Sequence, residues 1–100
     1  MKTTVVNIKN EDYDIYIGRI KSTHMHYGNP FIIGRDGTRK EVIEKHWDWL
    51  KGIRFTTFEQ KQREWVLKNI YRLYGKRIGC HCKPLECHGD NYIKLMEGMK

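Results

Sequence analysis

Helix-spaced apolar stripes set among β-branched runs predict an α/β fold: one small Rossmann-like domain whose mostly parallel sheet is flanked by helices. Three observations carry that expectation. "TTVVNI" (residues 3–8) and "DIYIGR" (14–19) are β-branched and aromatic, as strands require, and "RIGCHC" (77–82) reads as a strand weakened by Gly79. Two amphipathic stretches separate the second of these from the third, which favours parallel pairing. The length, 100 residues, allows one core and one site, so the domain is expected to span residues 1–100.

The expected order is strand, strand, short strand, helix, helix, strand, helix. Between Thr38 and Lys51 the apolar positions Val42, Ile43, Trp47 and Leu50 recur at helical spacing, with Thr38 as N-cap and Glu41 reaching back to it. "TTFEQKQREWVLKNIYRLYG" repeats the pattern, with Thr57 and Gln60 as a second capping box, a stripe of Phe58, Trp65, Val66, Ile70, Leu73 and Tyr74, and Gly75 as the stop. It reads as the longest helix. "HGDNYIKLMEGM" reads as the last, burying Tyr92, Ile93 and Met96. Trp47, Trp49 and Trp65 lie at helical spacing and are expected in the core rather than under a stacked base.

Nineteen basic against twelve acidic side chains give a net charge of +7, which favours anionic partners: a nucleotide or other anionic small molecule, or nucleic acid. Much of that charge, including Lys45, Lys51, Arg54, Lys61, Arg63, Lys68 and Arg72, falls on solvated helix faces. "MKTTVVNIKNEDYDIYIG" holds no apolar run long enough for a signal peptide or a membrane helix, so no membrane partner and a cytoplasmic location are expected. Three cysteines are an odd number, and Cys80 and Cys82 stand too close for a bridge, which points to free thiols or metal ligands in a reducing compartment. The chain is expected to be a monomer or a small homo-oligomer.

Parallel strands place ligands at their carboxyl ends. "DIYIGR" then delivers Gly18 and Arg19 to that edge, and "RIGCHC" delivers Cys80 and Cys82 on one face with His81 on the other. The helix start "CHGD" offers unpaired N–H groups to an anion, Gly89 leaves room for a ligand to approach, and the helix dipole is expected to lower the pKa of Cys87. Asp90 reads either as an acid–base group or as a cap of its own helix. Arg19, Arg35 and Arg39 form an anion clamp with Asn29, whose place before Pro30 holds it in an extended or turn geometry. His24 and His26, as H-x-H, are weak evidence for metal.

Cys80, Cys82, Cys87 and His88 supply four zinc ligands, although their C-x-C-x4-C-H spacing requires the loop after Cys82 to bend back toward the strand. A thiol-nucleophile reading takes Cys87 or Cys82 with His88 or another histidine as base. A third reading makes Cys80 a small buried apolar residue.

These stretches resemble a known family. "YIGR", "GNPF", "IGRDGTRKEVI", a W-x-x-L helix and "GKRIGCHCKPLECHGD" together are similar to the small bacterial and phage proteins grouped as domain of unknown function 4326. The likeness covers residues 14–96 and falls on Tyr16, Gly18, Arg19, Gly28, Asn29, Pro30, Arg39, Cys80, Cys82, Pro84, Cys87, His88, Gly89 and Asp90. The position of His81 is often aromatic in that family, which argues against an essential role for His81. The resemblance implies a prokaryotic or phage setting, hence a bacterial cytoplasm, and no particular activity. From the residues themselves, the expected function is binding of a nucleotide or other phosphorylated ligand at the sheet's carboxyl edge, with Gly18, Arg19, Asn29, Arg39, Cys82 and Gly89 in contact with it. Hydrolase or transferase chemistry through Asp90, His88 and Cys87 is the enzymatic form of that reading. The alternatives are a zinc-stabilised, non-catalytic module that binds nucleic acid or a host protein, and a phage protein that sequesters a nucleotide.

Overall fold

The computed structural model describes residues 2–98; Met99, expected in the last helix, lies outside them, as do Met1 and Lys100. Three strands, β1 (Thr4–Asn7), β2 (Ile15–Tyr16) and β3 (Arg77–Cys80), form a parallel sheet in the order β1-β3-β2. The helices are α1 (Arg39–Lys51), α2 (Gln60–Asn69) and α3 (Gly89–Gly98), and α2 runs directly into a 3-10 turn at Ile70–Leu73. The architecture is mixed α/β. Both helical stretches between β2 and β3 belong to one long crossover, which is what lets β3 enter parallel to both neighbours.

The strands are shorter than the β-prone runs, and the reason is visible in the register. Val5, Ile78 and Ile15 pair across the sheet and share one face, while Val6, Gly79 and Tyr16 share the other. α3 packs on the first face. A side chain at Gly89 would put its Cβ 2.7 Å from Ile17 Cδ1 and 3.0 Å from Val5 Cγ2, so the helix start sits directly on the sheet. The second face is crossed by the seven-residue link from β1 to β2. At Gly79 a Cβ would stand 2.6 Å from Ile8 Cγ2 and 2.8 Å from Tyr13 Cγ, so the glycine is the gap through which that link returns the chain to the start of β2. Asp14 then closes the lower end, accepting the Arg77 backbone N–H at 2.8 Å and pairing with the Arg77 guanidinium at 3.3 Å. The return link therefore limits β2 to two residues, after which a single further bond, Ile17 N–H to Gly79 O at 2.9 Å, carries the pairing on.

Several expectations are corrected by packing. No strand forms between Tyr16 and Arg39; residues 17–38 are bends and turns, tied to α1 and α2 by side chains rather than by a ladder. Thr38 and Glu41 do form the reciprocal capping box of α1. Thr57 and Gln60 do not cap α2, which begins with Glu59 in a left-handed conformation; the Gln60 amide instead donates to Phe55 O and Phe58 O. The tightening at Ile70 leaves α2 with 10 residues, so α1, with 13, is the longest helix. The buried face of α1 is Val42, His46, Trp49 and Leu50, and Trp47 lies outside it, flanked by the Lys51 and Lys94 ammonium groups at 5.4 and 4.3 Å from its ring. No helix among the described residues is long and apolar enough to cross a membrane.

The most buried polar residue on α1 is His46, and its environment dictates a neutral ring. Tyr92 Oη donates to Tyr27 O at 2.6 Å, so it accepts from His46 Nε2 at 3.3 Å, and His46 Nδ1 then accepts from the Asn91 amide at 2.9 Å. Burial first, and then neighbouring His88, hold His46 well below 6.5; burial likewise takes His88 to about 4. Above pH 6.5 both histidines are neutral whether the chain is folded or not, and this contribution to stability is constant. As pH falls below 6.5 the unfolded chain takes up protons that the folded one refuses, so stability is expected to fall, continuing to about pH 4 for His88. The slope should approach about 1.4 kcal/mol per pH unit for each histidine. Urea midpoints measured from pH 7.5 down to 5 check this, and His46→Gln should remove its own share of the slope, to which His26, also lowered by burial, adds; a flat profile would contradict the buried neutral pair. Gly89→Ala is expected to cost about 1–3 kcal/mol in the same assay, because the methyl has to displace Ile17 or Val5.

Candidate functional site

The carboxyl ends of β2 and β3 open onto a cleft of about 810 Å³. Gly18, Arg19 and Lys21 come to it from beyond β2, Cys80, His81 and Cys82 from β3, Arg39 and Val42 from α1, and Cys87 and His88 from the turn into α3. His24, His26, Asn29 and Phe31 line it from the long loop.

Alternation along β3 sends Cys80 and Cys82 toward the α3 side and His81 the other way, where its Nε2 meets Tyr16 Oη at 3.1 Å. The loop after Cys82 turns tightly, with Leu85 N–H donating to Cys82 O at 2.7 Å, and Asn7 at the end of β1 anchors it by donating to Lys83 O at 2.7 Å. That turn returns Cys87 to the strand. The sulfurs of Cys80, Cys82 and Cys87 all lie within 4.8 Å of one another, with Cys80 and Cys87 buried and Cys82 half-buried.

The three thiols are not equivalent. Interactions with Cys87 and with the backbone of Cys82 and Lys83 lower Cys80 to about 6 against the cost of its burial. Cys87 moves the other way. Its bond to Cys80 and its burial raise it far above the ordinary thiol value, which reverses the expected effect of the helix dipole. Cys87 Sγ does accept the Gly89 N–H at 3.4 Å, so it sits at the helix start as a cap, but a protonated one. A Cys87 held in this form is a poor nucleophile.

His88 stands beside the thiols and outside their group. Its Nε2 lies 2.7 Å from Ile17 O and 3.0 Å from Tyr27 O, and since carbonyls only accept, Nε2 carries the proton. The bare Nδ1 faces Cys87 Sγ at 3.6 Å. Asp90 is engaged twice in α3's first turn, accepting the Cys87 N–H at 3.3 Å through Oδ2 and pairing with Lys83 Nζ at 3.2 Å through Oδ1. Its carboxylate caps the helix and does not line the cleft.

Of the ligand-binding candidates, Asn29 is buried on the cleft wall, its amide donating to Val42 O at 3.2 Å and accepting the Phe31 N–H at 2.9 Å. Gly89 faces Val5 and Ile17, so its missing side chain admits the sheet rather than a ligand. Gly18 lies under the Tyr16 phenol, which fills the space a side chain would take. Arg19 donates to Asn29 O at 2.9 Å and Arg39 to Glu86 O at 3.3 Å, and both guanidinium groups remain on the cleft wall. Arg35 is occupied by Asp36 at 2.8 Å and does not line the cleft. His24 and His26 do line it, but among the described residues only the three cysteines bring three ligand atoms together.

Sequence reasoning missed Gln62 and Lys83. Gln62 is buried on α2, donating to Gly28 O at 2.6 Å, and its signal was a polar residue one turn before Val66 on the apolar stripe. Lys83 gave no signal, because its backbone N–H acts only once the turn is formed. If Asp90 is a cap, Asp90→Ala should lower stability by about 0.5–2 kcal/mol while leaving the reactivity of the thiols toward a disulfide reagent in the native protein unchanged. Parallel urea melts and thiol titrations measure both.

No solved structure matches this chain. An uncharacterized 12.4 kDa protein of Enterobacteria phage T4, from its nrdA-td intergenic region, is 35% identical over 88 residues, which is 86% of this chain and 69% of the phage protein. The family model described as domain of unknown function (DUF4326) matches residues 2–98, which include the whole cleft and all three cysteines, and the chain belongs to that family.

Proposed function

We propose that the cleft binds an anionic small molecule of nucleotide size. The observation that carries this reading is the composition of one cavity: Arg19, Lys21 and Arg39, in excess over Glu59 and Glu86, share its walls with exposed Ile20 and Ile33 and with Phe31 and Ile43. A volume of about 810 Å³ is in the range of small-molecule sites. Cations beside a broad apolar wall suit a ligand with a phosphate at one end and a flat, less polar group at the other. The place at the carboxyl ends of parallel strands, joined by a helical crossover, supports the Rossmann-like reading on the same ground.

The reading is one of binding. Asp90 is spent on its cap, His88 stays neutral down to about 4, and Cys87 is held protonated, so none of the three has the poise of a group doing acid–base or nucleophilic work near neutral pH. Sequestration of a nucleotide needs the same cleft without turnover. The converging thiols favour a second reading, a zinc-stabilised module for nucleic acid or a host protein, in which the cluster holds the fold and the cleft is incidental.

Calorimetry with the four common nucleoside monophosphates and triphosphates, against the parent nucleosides, tests the first reading. Nucleotides should bind and nucleosides should bind at least tenfold more weakly, with affinity falling as salt rises. Arg39→Ala should weaken nucleotide binding about tenfold or more, the value of one charge-assisted hydrogen bond. Equal binding of nucleosides and nucleotides, or none by any nucleotide at millimolar concentration and low salt, overturns it.

A further inference from the structure

We propose that Cys80, Cys82 and Cys87 form a binding site for one thiophilic divalent cation, zinc in the first place, with three protein ligands and a fourth coordination position open to the cleft. The inference stands whether or not the cleft also takes a nucleotide.

The geometry comes first. Tetrahedral zinc with zinc–sulfur bonds near 2.3 Å requires sulfur pairs roughly 3.8 Å apart. The three sulfurs already lie within 4.8 Å of one another, so rotations of about an ångström at each side chain close the set. They reach that point from two separate pieces of backbone, the end of β3 and the start of α3, and the chain between them is held by bonds that do not involve sulfur: Leu85 N–H to Cys82 O and the Asn7 amide to Lys83 O. The site is therefore pre-formed by the fold.

Its surroundings suit thiolates. The Gly89 N–H donates to Cys87 Sγ at 3.4 Å, an N–H···S bond that supports a thiolate at that position. Three thiolates around a divalent ion carry one net negative charge, and the cleft, lined by Arg19, Lys21 and Arg39 against Glu59 and Glu86, has one positive charge in excess to offset it. Carboxylates, which would favour magnesium or calcium, contribute no atom to the group.

The open position follows from what surrounds the triad. All three cysteines line the cleft, and half-buried Cys82 is the member nearest solvent. His88 is the one imidazole beside them, and its Nδ1 does not come within the common 4.8 Å group, while its Nε2 is tethered to Ile17 O and Tyr27 O in the wall. The face toward the cleft thus remains for water or for a ligand in the cleft. Three protein ligands with one exchangeable position mark reactive rather than purely structural zinc sites.

Cobalt(II) is the probe, used on the untagged full chain stripped of metal with a chelator under reducing conditions. The expected result is one cobalt per chain, with intense sulfur-to-metal absorption, visible bands of a tetrahedral centre, displacement by one equivalent of zinc, and bands that shift when imidazole is added. Cys82→Ser should keep the fold, read by circular dichroism, and lower the affinity for cobalt at least tenfold. Failure to bind cobalt or zinc stoichiometrically overturns the site. Stoichiometric binding with bands unmoved by imidazole overturns the open position, since four protein ligands would then saturate the ion. Neither failure touches nucleotide binding, which calorimetry on the metal-free chain reads separately.

Discussion

One imidazole holds the site together. His88 Nε2 bonds at once to Ile17 O, at the end of β2, and to Tyr27 O, in the loop that leads to α1. Ile17 O lies beyond the ladder, where a buried unpaired carbonyl would cost about 1–3 kcal/mol, and Tyr27 O takes the His88 proton beside the one it receives from Tyr92 Oη. By answering both, His88 fixes the start of α3 against the sheet edge and sets the orientation of its own ring. Cys87, one residue earlier, inherits that position. The return of the third sulfur to the other two therefore depends on a contact that touches neither of them.

The same contact explains why the histidine network must remain neutral. Asn91, His46, Tyr92 and Tyr27 form a single chain of donors and acceptors behind the cleft, and each group uses the lone pair or proton that its neighbour leaves. A second proton on His46 would face the Asn91 amide with no acceptor. Burial alone already disfavours the charge, and the direction of the bonds adds a geometric reason. The cleft thus has a rigid, uncharged back wall, and its positive charge is confined to the mouth and sides.

How far the sequence could be read follows from which forces are local. The capping box at Thr38, the amphipathic stripes and the strand starts all depend on neighbours within a few residues, and each of these is recoverable from periodicity or turn chemistry. The missing short strand and the misplaced start of α2 were set by distant partners instead. Gln60 was taken from its expected cap by Phe55 and Phe58 carbonyls, and residues 17–38 were stitched to the helices by Asn29 and Gln62. The glycines carried the most misleading signal. Gly79 reads as a weakness in a strand and Gly89 as access for a ligand, yet both are places where the chain itself passes.

The thiol cluster presents the sharpest tension between fold and chemistry. A helix start should lower the pKa of a thiol placed there, and Cys87 has the helix start, yet it is Cys80 that is poised to ionise. The resolution lies in the partners of each sulfur: Cys87 and the backbone of Cys82 and Lys83 lower Cys80, whereas Cys80 and burial raise Cys87, which faces the bare Nδ1 of His88. Three sulfurs drawn together at the cleft, two of them buried and one half-buried, concentrate soft acceptors that a cation would satisfy. A packed core made of small apolar residues has no need of such a cation, because a neutral thiol asks for little. The Gly89 N–H at Cys87 Sγ and the arginines of the cleft are arrangements that stabilise negative charge on sulfur, and they gain their full effect only when a positive ion draws the thiol protons away.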